Sequence, residues 1–454
     1  MTFSSLPFLY AFLPAVLLLL LLTPKPGRNY VLLLVNLIFY AYGEPVYVLL
    51  MLASIAANYA LALLIDRRQR GRKALFVLAV CLNLAALGVF KYAGLFTATL
   101  HRFIPALPVL SLALPIGISF YTFQALSYVA DVYRGDCPAE HNFVGFAAYI
   151  SLFPQLIAGP IVRYADVRDQ LNSPLKGAGR AGMGVRLFVI GLAKKVLLAN
   201  QLGPLWTAVS PDPAAAGTLG AWLALAAYAL QLYFDFSGYS DMARGLGVML
   251  GFDFCVNFNY PYISKSITEF WRRWHISLSS WFRDYVYFPL GGSRYGAARL
   301  CLNLLITWLL TGFWHGAGWN FLFWGLYYGV LLILEKLVWG KGLEKLPAAL
   351  RHVYTLFLVL IGWVFFASET AAAALGYLRV LFIPCAGNIP GGALSWLPLG
   401  LTACLAATPL GAKLWGRFDS KRGVLEAAAV LAAMALCTAC LVSESYNPFL
   451  YFRF

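Results

Sequence analysis

Of the 454 residues, 61% are hydrophobic and only 12% are charged, with a formal net charge of +15. That balance lies far outside the range of soluble domains and requires lipid as the solvent. The excess of Lys and Arg is assigned to loops beside anionic headgroups; no nucleic-acid partner is expected.

Apolar runs extend over Phe3 to Leu22, Tyr30 to Tyr42, Pro45 to Ile65 and Ala74 to Phe90, and recur through to Ala427 to Leu441. At roughly 20 residues per crossing they predict an all-α integral membrane protein with about 11 to 12 transmembrane helices. The first run reads as a retained helix and not as a signal peptide, because no Lys or Arg precedes Lys25 and no small-residue cleavage site follows the leucines. Pro105, Pro108 and Pro115 break one stretch, which points to re-entrant or tilted pieces shielded by protein or water, around a central tunnel. The basic cluster Asp66 to Lys73 is placed in the cytoplasm, as are Gly340 to Arg351 and Lys413 to Arg422. Counting spans from these loops puts both termini outside, with residues 443–454 forming an extracytoplasmic aromatic tail on a single domain of residues 1–454.

The eight cysteines are scattered, and Cys437 and Cys440 have no histidine neighbours, so no metal site is expected. A Walker loop, a dinucleotide fingerprint and a zinc signature are all missing from the sequence, and no internal repeat of the transporter kind is evident.

Polar residues within apolar surroundings are the candidates for function. His315 is the one ionisable side chain of Thr307 to Gly329 and follows a long apolar run. An imidazolium there is costly, so the ring stays neutral and able to accept a proton, as a general base for a hydroxyl requires. Gly312, Gly316, Gly318 and Gly325 leave room beside it for substrate or a neighbouring helix; a structural histidine bridging two helices is the alternative. His275 follows Trp271-Arg272-Arg273-Trp274, a composition suited to an interfacial helix, and Arg272 and Arg273 are candidates for binding donor phosphates. Asp235 and Asp241 would stand about 120° apart on a continuous helix, so they share a site only if the helix breaks at Gly238. Arg163, Gln155, Gln124 and Asp131 are candidate partners for these carboxylates.

The chain resembles bacterial members of the membrane-bound O-acyltransferase (MBOAT) family, in the branch of alginate O-acetylation and teichoic acid D-alanylation proteins. The resemblance is carried by the segments from Phe90 to Tyr92, Leu114 to Gly135, Phe153 to Tyr164, Asp235 to Phe252, Phe270 to Arg294 and Gly312 to Gly325. It implies the MBOAT fold, His315 as the principal catalytic residue and His275 as the second histidine. It implies also a cytoplasmic donor, acetyl-CoA or another acyl thioester, with no tightly bound cofactor. The acceptor is a polysaccharide reached from the outer side, with an SGNH-like extracytoplasmic acyltransferase as partner, in the bacterial inner membrane. Asn320 and the indoles of Trp314 and Trp319 are our candidates for oxyanion donors, and Asp235 for substrate binding. The tail resembles short aromatic tails in which a tyrosine carries the acyl group; Tyr451 is the matching residue, with an interfacial anchor as the alternative. D-alanyl transfer is the competing activity, and a lipid-linked sugar transporter the competing class.

Overall fold

The computed structural model describes residues 1–68, 70–175, 177–415, 422–443 and 449–450, and these residues form helices and connecting loops without a strand. In chain order the principal helices are α1 (Phe8–Leu22), α2 (Arg28–Gly43), α3 (Tyr47–Arg67), α4 (Arg72–His101), α5 (Ile118–Arg134), α6 (Phe143–Ile150), α7 (Tyr164–Asn172), α8 (Ala178–Ala193), α9 (Asn200–Val209) and α10 (Pro213–Met249). They are followed by α11 (Ile267–Arg273), α12 (Ile276–Phe282), α13 (Gly296–His315), α14 (Trp319–Glu344), α15 (Ala348–Ala367), α16 (Ala371–Phe382), α17 (Leu394–Ala406) and α18 (Gly423–Ser443). Seven of these, α3, α4, α10, α13, α14, α15 and α18, are long and apolar enough to cross a membrane, while α1, α16 and α17 are shorter apolar helices. The expected all-helical membrane fold is present. Fewer helices reach full-span length than the apolar runs suggest, because several runs end early at Pro or Gly.

Contacts divide the chain into two compact units that are interleaved in sequence: residues 1–188 with 239–255, and residues 189–238 with 256–454. In the first, α5 is the central helix, with every side chain from Ile118 to Val132 buried. Helices α3 and α4 pack together, and Asn58 and Asn83 exchange side-chain hydrogen bonds at 3.2 and 2.7 Å. Such paired amides satisfy each other where no water is available. Asn142 caps α6 by accepting from the backbone N–H groups of Val144 and Gly145.

The second unit is built on the hairpin of α13 and α14. A Cβ on Gly312 would stand 2.3 Å from the carbonyl oxygen of Phe321, and one on Gly325 would stand 2.4 Å from that of Trp308. Glycine at both positions therefore lets the two backbones touch. The space that these glycines leave is filled by the neighbouring helix, which decides between the two uses expected for it. Helix α15 packs on α14, where Tyr327 donates to the Leu358 carbonyl at 2.8 Å. Tyr377 of α16 donates to the Ala221 carbonyl of α10 at 2.8 Å.

The Trp271–His275 segment is not the surface anchor that its composition suggests. Trp271, Trp274 and His275 are all buried, with Trp271 set edge-on to Trp324 and Tyr328, and Trp274 against Trp363. Aromatic surface that would also suit a lipid interface is spent here on an internal cluster. Ser266 caps α11, and Glu335 accepts from the N–H groups of Ile267 and Thr268 at 2.7 and 2.9 Å, fixing the start of that helix.

Candidate active site

His315 is the last residue of α13, between two apolar helices, and is 6% exposed. Its ring is held edge-on by Trp314 and Trp324, both at 5.0 Å between centroids, and by Phe366 at 5.3 Å. It lines a small cavity of about 20 Å³ together with Asp235, Phe236, Trp274, Trp324 and Leu450. That volume holds about one water molecule. A larger cavity of about 790 Å³ is lined by Asn200, Gln231, Asn320, Glu369, Phe366 and Leu450, sharing the last two with the first.

His275 has the left-handed backbone conformation, with φ 44° and ψ 55°, at the start of α12. Such a conformation is uncommon for a residue with a side chain and persists only where the surroundings enforce it. The enforcing group is Asn257. Its Oδ1 accepts from the Ser277 N–H at 3.1 Å and the Ser277 hydroxyl at 2.9 Å, and lies 3.1 Å from Nδ1 of His275. Because a backbone N–H can only donate, this oxygen is the acceptor, and Nδ1 of His275 carries the proton. Nε2 is then a lone-pair acceptor, buried and without a hydrogen-bond partner among the described residues. Burial pushes the His275 pKa below its ordinary value, which favours this neutral form. Trp314 contacts both histidines, its ring lying 6.2 Å from that of His275 and 5.0 Å from that of His315.

Helix α10 remains helical through Gly238; its break is at Gly217, with φ 72°. Asp235 and Asp241 accordingly have separate partners. Asp241 lies 3.6 Å from Arg244, whereas Asp235 is 2% exposed and lies 2.6 Å from Nζ of Lys195. The second Asp235 oxygen accepts the backbone N–H of Leu450 at 2.8 Å. Lys195 stands in a π-helical turn, residues Lys194–Ala199, one of the widened turns that often accompany functional sites. Among the described residues, the partners of Asp235 are thus Lys195 and Leu450, not Arg163, Gln155, Gln124 or Asp131.

Two other candidates have different places from those expected. Asn320 is buried, but its amide donates to the carbonyls of Ser368 at 2.8 Å and Phe365 at 3.4 Å, tying the start of α14 to the end of α15. Its N–H groups are engaged by these two carbonyls. Trp319 is 52% exposed and does not line the His315 cavity. The indole that lines this cavity and lacks a hydrogen-bond partner among the described residues is that of Trp324, which is 1% exposed.

Arg272 and Arg273 are not brought to His315. Arg273 pairs with Glu269 at 3.0 Å, and Arg272 lines a separate cavity of about 500 Å³ with Lys336, Arg351, Glu335 and Leu304. Leu304 precedes His315 by 11 residues on α13, about 16 Å of helix at 1.5 Å per residue. Tyr451 lies outside the described residues; Leu450, just before it in sequence, lines the cavity. Lys195, Asn257 and Trp324 were not singled out from the sequence. Lys195 carried a usable signal, a charge within an apolar helix. Asn257 lies 18 residues before His275 and Trp324 is one aromatic among many, so neither is marked locally.

The buried pair makes a stability prediction. Asp235→Leu removes the carboxylate that neutralises Lys195 in a water-poor interior and is expected to cost about 3 kcal/mol. Adding Lys195→Met should recover most of that loss. Thermal unfolding of the detergent-solubilised protein measures both; a double variant no more stable than the single one would show that the cost is not that of an orphaned charge.

The chain matches the family model described as membrane-bound O-acyltransferase over residues 137–366. It is 44% identical to a protein of Azotobacter vinelandii described as a probable alginate O-acetylase, covering 84% of this chain and 78% of that one. It is 33% identical to a peptidoglycan O-acetyltransferase of Helicobacter pylori, over 83% of this chain and 79% of the relative. A teichoic acid D-alanyltransferase of Bacillus subtilis is 30% identical over 56% of this chain and 69% of its own length. With apolar helices long enough to cross a bilayer, and on these similarities, this multi-pass membrane protein belongs to the membrane-bound O-acyltransferase family and is an O-acyltransferase.

Proposed function

We propose that the enzyme transfers an acetyl group from a cytoplasmic thioester, acetyl-CoA or a related acyl thioester, for O-acetylation of an exported or cell-wall polysaccharide, with a secreted SGNH-like acyltransferase as partner. The observation that carries this reading is the pair of buried histidines joined through Trp314, one lining a cavity and the other presenting an Nε2 without a hydrogen-bond partner among the described residues. The relatives described as O-acetylases support acetyl over other acyl groups.

In this reading a ring nitrogen of His315 takes the proton of the acceptor hydroxyl as its oxygen attacks the thioester carbonyl carbon. The new C–O bond forms, the C–S bond breaks, and the proton passes to the departing sulfur, leaving an ester and a free thiol. The buried N–H of Trp324 donates to the carbonyl oxygen as negative charge develops there. His275 accepts a hydrogen bond from substrate at Nε2.

Placing the basic segment Gly340–Arg351 in the cytoplasm sets the Arg272, Lys336 and Arg351 cavity at the donor end of the α13–α14 hairpin. His315 and the 790 Å³ cavity then face the outer side of the inner membrane, where we place both termini. Tyr451 is assigned as the intermediate acyl acceptor. A free phenol is a weak nucleophile at neutral pH, so it depends on His315 as base.

Two measurements test the reading. Tyr451→Phe keeps the aromatic ring and removes the nucleophile, so ester content of the isolated polysaccharide should fall at least about 10-fold at matched protein level; wild-type esterification would eliminate the carrier role. Turnover with acetyl-CoA alone supports direct use of that donor, whereas a strict requirement for an acylated carrier protein would favour D-alanyl transfer.

A further inference from the structure

We infer that the buried Lys195–Asp235 pair is a docking station for the Phe449–Leu450 segment, gripping its backbone so that Leu450 is set against the His315 cavity. Asp235 divides its two oxygens between two donors: Oδ1 takes Nζ of Lys195 at 2.6 Å and Oδ2 takes the N–H of Leu450 at 2.8 Å. The ring of Phe449, itself 1% exposed, lies 4.7 Å from the Lys195 ammonium. Leu450 lines both the small cavity containing His315 and the larger one beside it.

These contacts have the character of a built site. An ion pair 2–3% exposed is a poor route to stability, since apolar residues of the same volume would fill the space as well. What the pair supplies is a carboxylate held in place and able to take a backbone N–H in a charge-assisted hydrogen bond. The cation beside it faces an aromatic ring, a second favourable contact in a desolvated setting. The grip on Leu450 is through the main chain, so it fixes the register of this segment. With Leu450 in place, the His315 cavity has room for about one water molecule. Leu450 therefore occupies space beside the base, and Asp235 and Lys195 are positioning residues that act through it.

The catalytic meaning of this docking rests on the proposed role of Tyr451, the next residue in sequence; the docking itself does not. The test uses the full-length protein in detergent micelles with two substitutions at one position. Leu450→Pro removes the N–H that Asp235 accepts and leaves the ion pair intact. Leu450→Ala keeps the N–H and removes the leucine side chain. Hydrogen exchange of the peptide covering residues 444–454 is the direct readout, with peptides from α13 and α14 reporting that the fold is intact.

The wild-type peptide is expected to exchange more slowly than the same synthetic peptide in solution, and Leu450→Pro to speed exchange by about 10-fold or more, with Leu450→Ala close to wild type. A Leu450→Pro peptide as protected as the wild type would overturn the docking. Ester content should fall at least about 10-fold more in Leu450→Pro than in Leu450→Ala, because the chain loses its register beside the base. A released peptide with unchanged transfer, in a protein that Tyr451→Phe inactivates, would overturn the positioning role. Wild-type transfer by Tyr451→Phe would instead sink the carrier reading and leave the exchange result standing.

Discussion

His315→Gln should reduce ester content of the exported polysaccharide by at least about 100-fold, while the polysaccharide itself is still exported. The glutamine amide approximates the volume of the ring and retains hydrogen-bonding groups, but it cannot take a proton in the transition state. The packing around His315 comes from Trp314, Trp324 and Phe366, and none of these is altered by the substitution. A collapse of the fold is therefore not the expected route to loss, and matched membrane levels of the two proteins check this. Unchanged esterification would remove His315 from the chemistry and return it to the role of a helix-end packing residue. Loss of export with normal ester density on what remains would favour the transporter class instead. The same cells also distinguish acetyl from D-alanyl, since alkaline release of the ester yields one acid or the other.

The membrane class follows from composition alone, and His315 stands out because ionisable groups are scarce in the apolar segment around it, whereas His275 lies among charges and is marked by the motif resemblance. Their surroundings were harder to read. The run Trp271-Arg272-Arg273-Trp274 has the same amphipathic composition whether it faces headgroups or an internal aromatic cluster, and periodicity does not separate these environments. Only the tertiary partners Tyr328, Trp324 and Trp363 do. The glycines around His315 were legible as places of close approach, but which group approaches was settled by the backbone of Phe321 on the returning helix. Asn320 illustrates a further limit. An amide two residues from a glycine-rich turn suggests a site group, yet its donors are taken by the free carbonyls at the end of α15, an obligation of every helix end that sequence cannot assign to a partner. Lys195 and Asp235 are 40 residues apart, and their pairing depends on α10 passing the π-helical turn, a long-range relation without a local signature.

Replacing Trp324 by Phe is expected to lower kcat by about 100- to 1000-fold with little change in KM for the donor. A buried N–H without an acceptor carries a desolvation penalty of about 1–3 kcal/mol, and among the described residues Trp324 has no acceptor at 1% exposure while lining the His315 cavity. A phenylalanine would fill most of that space without the penalty, so packing alone does not explain the indole. An acceptor that exists only during the reaction does. The thioester oxygen is a weak acceptor in the ground state and a strong one in the tetrahedral intermediate, so the N–H stabilises the transition state more than the bound substrate. Loss of that difference appears in kcat and not in KM, whereas a Trp324 that merely supports the pocket would change both. A tetrahedral phosphonate analogue of the intermediate gives an independent reading: Trp324→Phe should weaken its binding by a factor similar to the loss in kcat. Equal binding of the analogue by both proteins would assign the stabilising donor to another group, and the Trp324 ring would then be a wall of the cavity alone.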